Sequence, residues 1–370
     1  MSNETKQESA KKKNSQGTLE AGKQDVDLSA PGVAKALAKR MEEDIADYCI
    51  ETYDGGHRTH LGASLIGEEC KRKLWYIFRW CFHDKMEKKD KTALENKINR
   101  GRMQRLFQRG HKEEDRFIEY LEGIGFKVWA DDLQNNKLFY LPGEDKYELL
   151  PADEVPFSDF VDATNDKKHI KRAKADGLEF PQYRIKACGG HFGGSLDGIG
   201  ILPERYGIKE PVLLEFKTNG TGAGFTGLVK EGMIVKKPQH FAQTSTYGKE
   251  YGFKYVAYLN TNKNDDSLHI EVVKLDHNLG SQMLMKAEQI ITSQTPPPRI
   301  SDNPTFLSCR WCAATDSCHK GAVVEKNCRS CKKAKPIANS EWFCEEHNGV
   351  IPKDFIKEAC DNYKSINDNV

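Results

Sequence analysis

Two short apolar runs near the middle of the chain each deliver an acidic residue where a buried strand ought to continue. Gly193-Gly194-Ser195-Leu196 leads into Asp197 and then Gly198-Ile199-Gly200-Ile201-Leu202. After a turn rich in Gly, Pro and charge comes Pro211-Val212-Leu213-Leu214-Glu215-Phe216-Lys217-Thr218. Side chains two apart on a strand share a face, so Glu215 and Lys217 point together while Phe216 points away. A carboxylate beside an ammonium on an apolar strand costs desolvation energy unless the two pair or bind something, and a buried salt bridge is the plain structural reading. A second carboxylate changes the chemistry. If Asp197 arrives from the neighbouring strand, two acids converge, and they repel unless a proton or a divalent cation lies between them.

The elements that position these residues read as an alternation of strands and helices, which implies an α/β core. With 370 residues the chain can bury one large core or two modest ones. Its 56 basic and 55 acidic residues leave a net charge of +1, so a nucleic-acid surface has to be a local patch. No run of about 18 apolar residues occurs and the N-terminus lacks an apolar signal core. A cytoplasmic protein with no membrane partner is expected, in a prokaryotic cell or, for a viral protein, in its host. In a reducing compartment the 11 cysteines are metal ligands or inert buried thiols in preference to disulfides.

Residues 1–30 are polar and charged, a disordered tail by composition. A helical region spans 31–125. Val33, Leu37, Met41, Ile45 and Tyr48 recur at helical spacing, and Ser64 is a candidate cap for a helix bearing Cys70, Leu74 and Trp75. Further on, Met103, Phe107, Gly110, Phe117 and Leu121 trace one helix stripe. Arg102, Arg105 and Arg109, with Lys112, form a basic ridge that is either a solvated face or a track for phosphates. The core is expected over 126–295, with strands at 126–130, 137–141, 183–188 and 191–202 and an insertion of unreadable role at 143–180. His191 is open between metal, turn and core roles. The glycine-rich stretch after Lys217 lacks a following Gly-Lys-Ser/Thr and is not read as opening a strand-loop-helix nucleotide unit, which excludes nucleotide hydrolysis. Gln239, Gln243 and Tyr247 then fall at i, i+4 and i+8 of one helix, a polar stripe on a face that should pack. A hairpin at 255–260 and 268–274 and a helix at 279–292 follow.

Six cysteines and His347 crowd into the 39 positions from Cys309 to His347, where little apolar sequence could bury them as inert thiols. The expected segments are 296–322, 323–350 and a C-terminal tail at 351–370 with a short helix. Cys328-x2-Cys331-x12-Cys344-x2-His347 has ordinary tetrahedral zinc spacing. A rival grouping of Cys309 and Cys312 with Cys328 and Cys331 is equally good by spacing, but it strands Cys70, Cys318, Cys344 and His347. Cys81 and Cys360 have no metal spacing and are read as packing residues.

The Asp197 and Glu215-x-Lys217 pattern resembles the PD-(D/E)xK nuclease superfamily. Ser64-x5-Cys70-x-Arg72-x2-Trp75-Tyr76, Gly110-His111-x2-Glu114, Gln243-x3-Tyr247 and the triplet Cys309, Cys312 and Cys318 together resemble RecB-like iron-sulfur exonucleases, including the CRISPR-associated ones, in the same order along roughly residues 60–320. The resemblance implies a restriction-endonuclease-like fold, a mixed central sheet flanked by helices, here with a metal-rich C-terminal region. It implies Mg2+ or Mn2+ held by His111, Asp197, Glu215 and the carbonyl of Phe216, with Lys217 catalytic and Gln243 and Tyr247 placing the scissile phosphate. It implies a 4Fe-4S cluster on Cys70, Cys309, Cys312 and Cys318. The expected activity is a metal-dependent DNA exonuclease acting in recombination, repair or replication, with DNA and a recombination or replication protein as partners. The alternative is a non-catalytic DNA-binding adaptor on the same fold. The insertion and the added zinc module depart from the family pattern and leave substrate and partner open.

Overall fold

The computed structural model describes residues 29, 32–82, 92–154, 156, 159–220, 222–322 and 324–367. The tail expected over 1–30 lies outside these, apart from Ser29. The first half contains α1 (Val33–Tyr53), β1 (Leu61–Gly62), α2 (Lys71–Phe78), α3 (Ala93–Gly123), β2 (Lys127–Trp129), β3 (Asn136–Leu141), β4 (Lys146–Pro151), β5 (Val161–Asp162) and α4 (Lys167–Ala175). Next come β6 (Arg184–Ala187), β7 (Phe192–Ser195), β8 (Gly198–Ile201), β9 (Val212–Asn219), α5 (Ala223–Lys236), α6 (Pro238–Tyr251), β10 (Tyr255–Asn262), β11 (Leu268–Lys274) and α7 (His277–Thr292). The C-terminal part holds α8 (Leu307–Arg310), α9 (Thr315–His319), β12 (Ala334–Pro336), β13 (Trp342–Cys344) and β14 (Gly349–Val350). Among the described residues no helix is long and apolar enough to cross a membrane.

The central sheet runs β11-β10-β9-β8-β2. Only β9 and β10 are parallel, so the sheet is mixed, as expected, and β9 is its middle strand. Its two faces build two cores because side chains alternate. Val212, Leu214 and Phe216 face α3, where they meet Phe117 and Leu121. On the opposite side Leu213, Val256 and Tyr258 join a larger core with Met233, Tyr247 and Ile290. The helices are delimited by local chemistry. A reciprocal Thr92–Glu95 capping box opens α3. Pro238 sits in the first turn of α6 and Gly252, at φ 79°, ends it. The Asp276 side chain accepts from the first N–H groups of α7.

Several expectations need correcting. Ser64 lies in a single 3-10 turn, and α2 begins after Cys70, whose sulfur accepts the Lys73 N–H at 3.4 Å. The stripe of Leu37, Met41, Ile45 and Tyr48 on α1 faces solvent, because the close approach of α1 to Gly101 of α3 is made by Ala46 instead. β3 belongs with β4 and β5 in a separate three-stranded sheet covered by α4, so the inserted unit is structured and starts before residue 143. A strand, loop and helix do follow one another through β9 and α5, although no Gly-Lys-Ser/Thr accompanies them. No helix forms over residues 351–367, which lie in turns against the C-terminal sheet.

The C-terminal sheet, β12-β13-β14, is continuous with the main core through α2. Phe78 packs on Trp342 with ring centroids 5.4 Å apart, and Tyr76 donates to Asn367 Oδ1 at 2.8 Å. Helices α6 and α7 pack closely because Gly280 has no side chain. A Cβ there would stand 2.3 Å from the Ser245 carbonyl oxygen, an atom fixed in the opposing backbone. Gly280→Ala should therefore cost about 1–3 kcal/mol in denaturant unfolding by forcing the helices apart. An unchanged midpoint would refute this packing.

Candidate active site and cysteine-lined cavities

Asp197 sits where the chain leaves β7, paired with β6 and β1, and enters β8, paired with β9. Its Oδ2 accepts the Phe216 N–H at 2.7 Å, which fixes the carboxylate against the middle strand. Lys217 Nζ lies 2.5 Å from Glu215 Oε1 and 3.5 Å from Asp197 Oδ2, and it donates to the Phe216 carbonyl at 2.9 Å. One ammonium therefore occupies the space among the three oxygens expected to hold a cation. Phe216 points to the other face and stacks on Phe117 at 5.2 Å, which anchors the strand that carries the acids.

The electrostatics are those of an acid-rich site. Glu215 is 0% exposed, and neither of its oxygens has a well-formed hydrogen bond. Burial pushes its carboxyl up to about 7, with Lys217 opposing and Asp197 adding to the rise. For Lys217 burial acts downward, but Asp197 and Glu215 outweigh it and hold the ammonium above the usual lysine range. A third carboxyl joins from α3. Burial lifts Glu114 to about 8, helped by Asp197 and Glu215 and opposed by Lys217. Three carboxyls thus share one ammonium, an arrangement that favours a cation or a retained proton.

Helix α6 closes the site from one side. Gln243 and Tyr247 are both buried, and Gln243 Nε2 donates to the Tyr247 hydroxyl at 3.4 Å. Burial raises the Tyr247 phenol well above its ordinary range, so it stays protonated. Gly194 makes room for that hydroxyl, since a Cβ at this position would lie 2.4 Å from it. Register places Tyr258 and Asn260 of β10 beside Glu215 and Lys217. Asn260 Nδ2 donates to the Tyr258 hydroxyl at 3.3 Å, leaving that hydroxyl to donate to His240 Nδ1 at 2.9 Å. Burial, with Lys217 and Lys237, lowers His240 to about 3 and keeps it neutral.

Glu114, His240, Tyr258 and Asn260 were not anticipated from sequence as part of the site. The signal for the strand pair was present in Tyr258-Leu-Asn260-Thr-Asn262, polar residues alternating along an otherwise apolar strand. His111, expected near the acids, is exposed on α3 and makes no hydrogen bond or ion pair to Asp197 or Glu215. Glu114 is the side chain of that motif that feels them. Arg102, Arg105 and Arg109 are exposed along the same helix, and Arg109 donates to the Lys263 carbonyl in the β10–β11 turn at 2.7 Å. His191 takes the core role. It is 1% exposed, its Nε2–H donates to the Ile337 carbonyl at 2.7 Å, and it lies edge-on to Phe78 and Trp342.

The cysteines fall into two groups. Cys70, Cys309, Cys312 and Cys318 border one cleft together with Lys73 and Arg299. Burial raises the Cys309 thiol, and Cys70 and Cys318 raise it further, so residues far apart in sequence are neighbours. Cys328, Cys331, Cys344 and His347 border a second cavity of about 500 Å3, and Cys360, expected to be a packing residue, borders it too. Burial lifts Cys328 to about 11, with Cys331, Cys360 and Cys344 adding. Cys81 is buried, as expected. Among the described residues, no three His, Cys, Asp or Glu side chains are grouped so as to hold a metal ion. The donor types nonetheless suit metals, all-oxygen for a hard divalent cation around Glu215 and thiol-rich for soft ions in the two cavities.

No family model matches the chain, and no curated protein matches it. Among solved structures it is similar to SSO0001 at 10% identity, over 78% of this chain and 98% of that one, with a TM-score of 0.35. It is also similar to LHK-Exo, an alkaline exonuclease from Laribacter hongkongensis, at 13% identity over 63% of this chain and 87% of that one, with a TM-score of 0.30. The complex of LHK-Exo with dAMP gives 13% identity, 63% and 86% coverage and a TM-score of 0.29.

The raised carboxyl of Glu215 makes a testable statement about pH. A folded value near 7 against an ordinary 4.5 means that the folded state holds this proton more tightly than the unfolded chain. The associated stabilisation is present at low pH and is lost as pH rises through about 7. In chelated protein, Glu215→Gln should gain stability relative to wild type between pH 5 and pH 8, by on the order of a few degrees in Tm. A difference that stays flat across that range would remove the buried-acid assignment.

Proposed function

We propose that this protein is a metal-dependent DNA nuclease, an exonuclease that processes DNA ends in recombination, repair or replication by hydrolysing phosphodiester bonds. The observation that carries the reading is Glu215, fully buried and without a well-formed hydrogen bond, sharing Lys217 with Asp197 and the Phe216 carbonyl beside a buried Gln243–Tyr247 pair. A structural ion pair needs one acid for one base. This site has acids in excess and polar groups on a face that could have been packed with apolar ones.

Asp197, Glu215 and the Phe216 carbonyl, with Glu114 or His111 from α3, are the residues that would hold Mg2+ or Mn2+. When bound, the ion supplies Lewis acidity and a hydroxide source near neutral pH. Lys217, firmly protonated, orients the attacking water and stabilises negative charge developing on the phosphate oxygens. Gln243 and the un-ionised Tyr247 hydroxyl donate to the phosphate and place it, while Phe216 and Phe117 hold the strand rigid beneath. Arg102, Arg105 and Arg109 guide the nucleic-acid backbone past the site. Backbone contacts position without reading bases, so little sequence preference is expected. In the same reading Cys70, Cys309, Cys312 and Cys318 carry a 4Fe-4S cluster that staples the start of α2 to the C-terminal segment, and the second cavity takes Zn2+. DNA with free ends or single strands is the substrate, and a recombination or replication protein is the expected partner.

The test is cleavage of end-labelled linear and closed circular DNA with Mg2+ or Mn2+. Lys217→Ala should lower the rate about 100-fold or more, and loss on linear but not circular DNA marks an exonuclease. Comparing Glu114→Gln with His111→Ala identifies the α3 residue that serves the site, and the larger loss is expected for Glu114. If metal-loaded wild type binds DNA but leaves every substrate intact, the protein is the non-catalytic binding module instead.

A further inference from the structure

The C-terminal cavity is bordered by four cysteines and His347, one more Cys or His donor than a tetrahedral ion takes, and the residues behind it indicate which four serve. Two guanidinium groups are buried there. Arg79 and Arg329 are each 1% exposed. Arg79 Nη1 donates to the carbonyl of Ala334, which borders the cavity, at 2.9 Å and to that of Arg329, which lies between Cys328 and Cys331, at 3.5 Å. Arg329 donates to the carbonyls of Thr59 and Phe78, with its guanidinium 4.3 Å from the Trp80 ring and 4.7 Å from that of Trp342. Among the described residues neither arginine meets a carboxylate at ion-pair distance, and the Nε of each is buried without a hydrogen bond. Carbonyls and ring faces solvate a cation without cancelling its charge, so two such cations in one core call for a nearby negative group.

We propose that this cavity is a tetrathiolate zinc site formed by Cys328, Cys331, Cys344 and Cys360, with His347 outside it, and that its net negative charge compensates Arg79 and Arg329. Zinc with four thiolates carries a charge of about −2, against about −1 with three thiolates and a neutral imidazole, so only the first balances two guanidiniums. The backbone holds the Cys360 segment against the Cys328–Cys331 turn. The Tyr363 N–H donates to the Cys360 carbonyl at 3.1 Å, and the Tyr363 hydroxyl donates to the Ser330 carbonyl at 3.2 Å. Cys331 bridges to Ser365, and the Lys332 N–H donates to the Lys364 carbonyl at 2.8 Å. His347 and Cys360 are both exposed, so it is these backbone contacts of the Cys360 segment, and not burial, that set Cys360 apart. The thiols border the cavity without being grouped as a closed site, so zinc binding draws them together and tightens the bridge to residues 363–365.

The inference is independent of the nuclease reading, and its test uses full-length protein with no DNA. Zinc content and the spectrum of the Co2+-substituted protein are measured, taking the difference from Cys344→Ser, which removes a ligand common to both candidate sets. Wild type and His347→Ala should each retain about one zinc at this site and share one Co2+ spectrum with charge-transfer intensity for four thiolates. Cys360→Ser should lose the metal. If Cys360→Ser does not fold, Cys360→His, which keeps a ligand, should bind Co2+ with one thiolate's intensity fewer. The proposal is overturned if His347→Ala changes the spectrum while the Cys360 variants leave it unaltered, or if wild type binds no more metal than Cys344→Ser.

Discussion

A carboxylate held fully inside the protein, on the middle strand of the sheet, is the constraint around which the rest is arranged. Glu215 cannot be solvated by water, so its surroundings must supply the counter-charge, and Lys217 does so from two residues away on the same face. That solution is incomplete because Asp197 draws on the same ammonium. The other face of β9 therefore has to be firmly packed to keep the acids in place, and the Phe216–Phe117 stack with Val212, Leu214 and Leu121 does this. Apolar packing below and charge imbalance above are two consequences of one alternating strand.

Around the acids lies a layer of neutral polar groups whose protonation is set by burial. Tyr247 stays a phenol, His240 stays a neutral imidazole, and the amides of Gln243 and Asn260 supply fixed dipoles. Such groups stabilise charge without carrying any, and they need no reorganisation when charge appears. Their positions follow from backbone decisions made elsewhere. Gly194 admits the Tyr247 hydroxyl, and Gly280 lets α7 press α6 toward the sheet.

A second constraint joins the ends of the chain. Helix α2 carries Trp75, Tyr76 and Phe78, with Arg79 just past its end, all buried, and these side chains reach the end of α7, the C-terminal sheet and the final turns. The cysteine cavities lie at the two places where that contact is made, one beside Cys70 and one behind Arg79. Soft-metal chemistry at these positions would secure contacts between segments more than two hundred residues apart, where loop-closure entropy is large.

The sequence by itself determined what is local and periodic. Alternation along a strand placed Glu215 with Lys217 and set Phe216 against them. Helical spacing put Gln243 and Tyr247 on one face, and the hairpin of β10 and β11 was readable from its two runs and its turn. What only the tertiary structure decided depended on phase and on distance. One turn of α3 separates His111 from Glu114, and the docking angle of the helix, which no local pattern encodes, leaves His111 exposed and sets Glu114 where it feels Asp197 and Glu215. The apolar stripe of α1 is amphipathic by spacing yet stays exposed, because the small residue Ala46 made the closer contact. The strand at residues 136–141 looked like part of the core, but its partners belong to the inserted unit. Cys360 carries no ligand spacing, and only the folding of the last turns onto Ser330 brings it to the cavity. Periodicity is a property of neighbouring residues, whereas partner choice is settled by which surfaces pack most closely once the chain is folded.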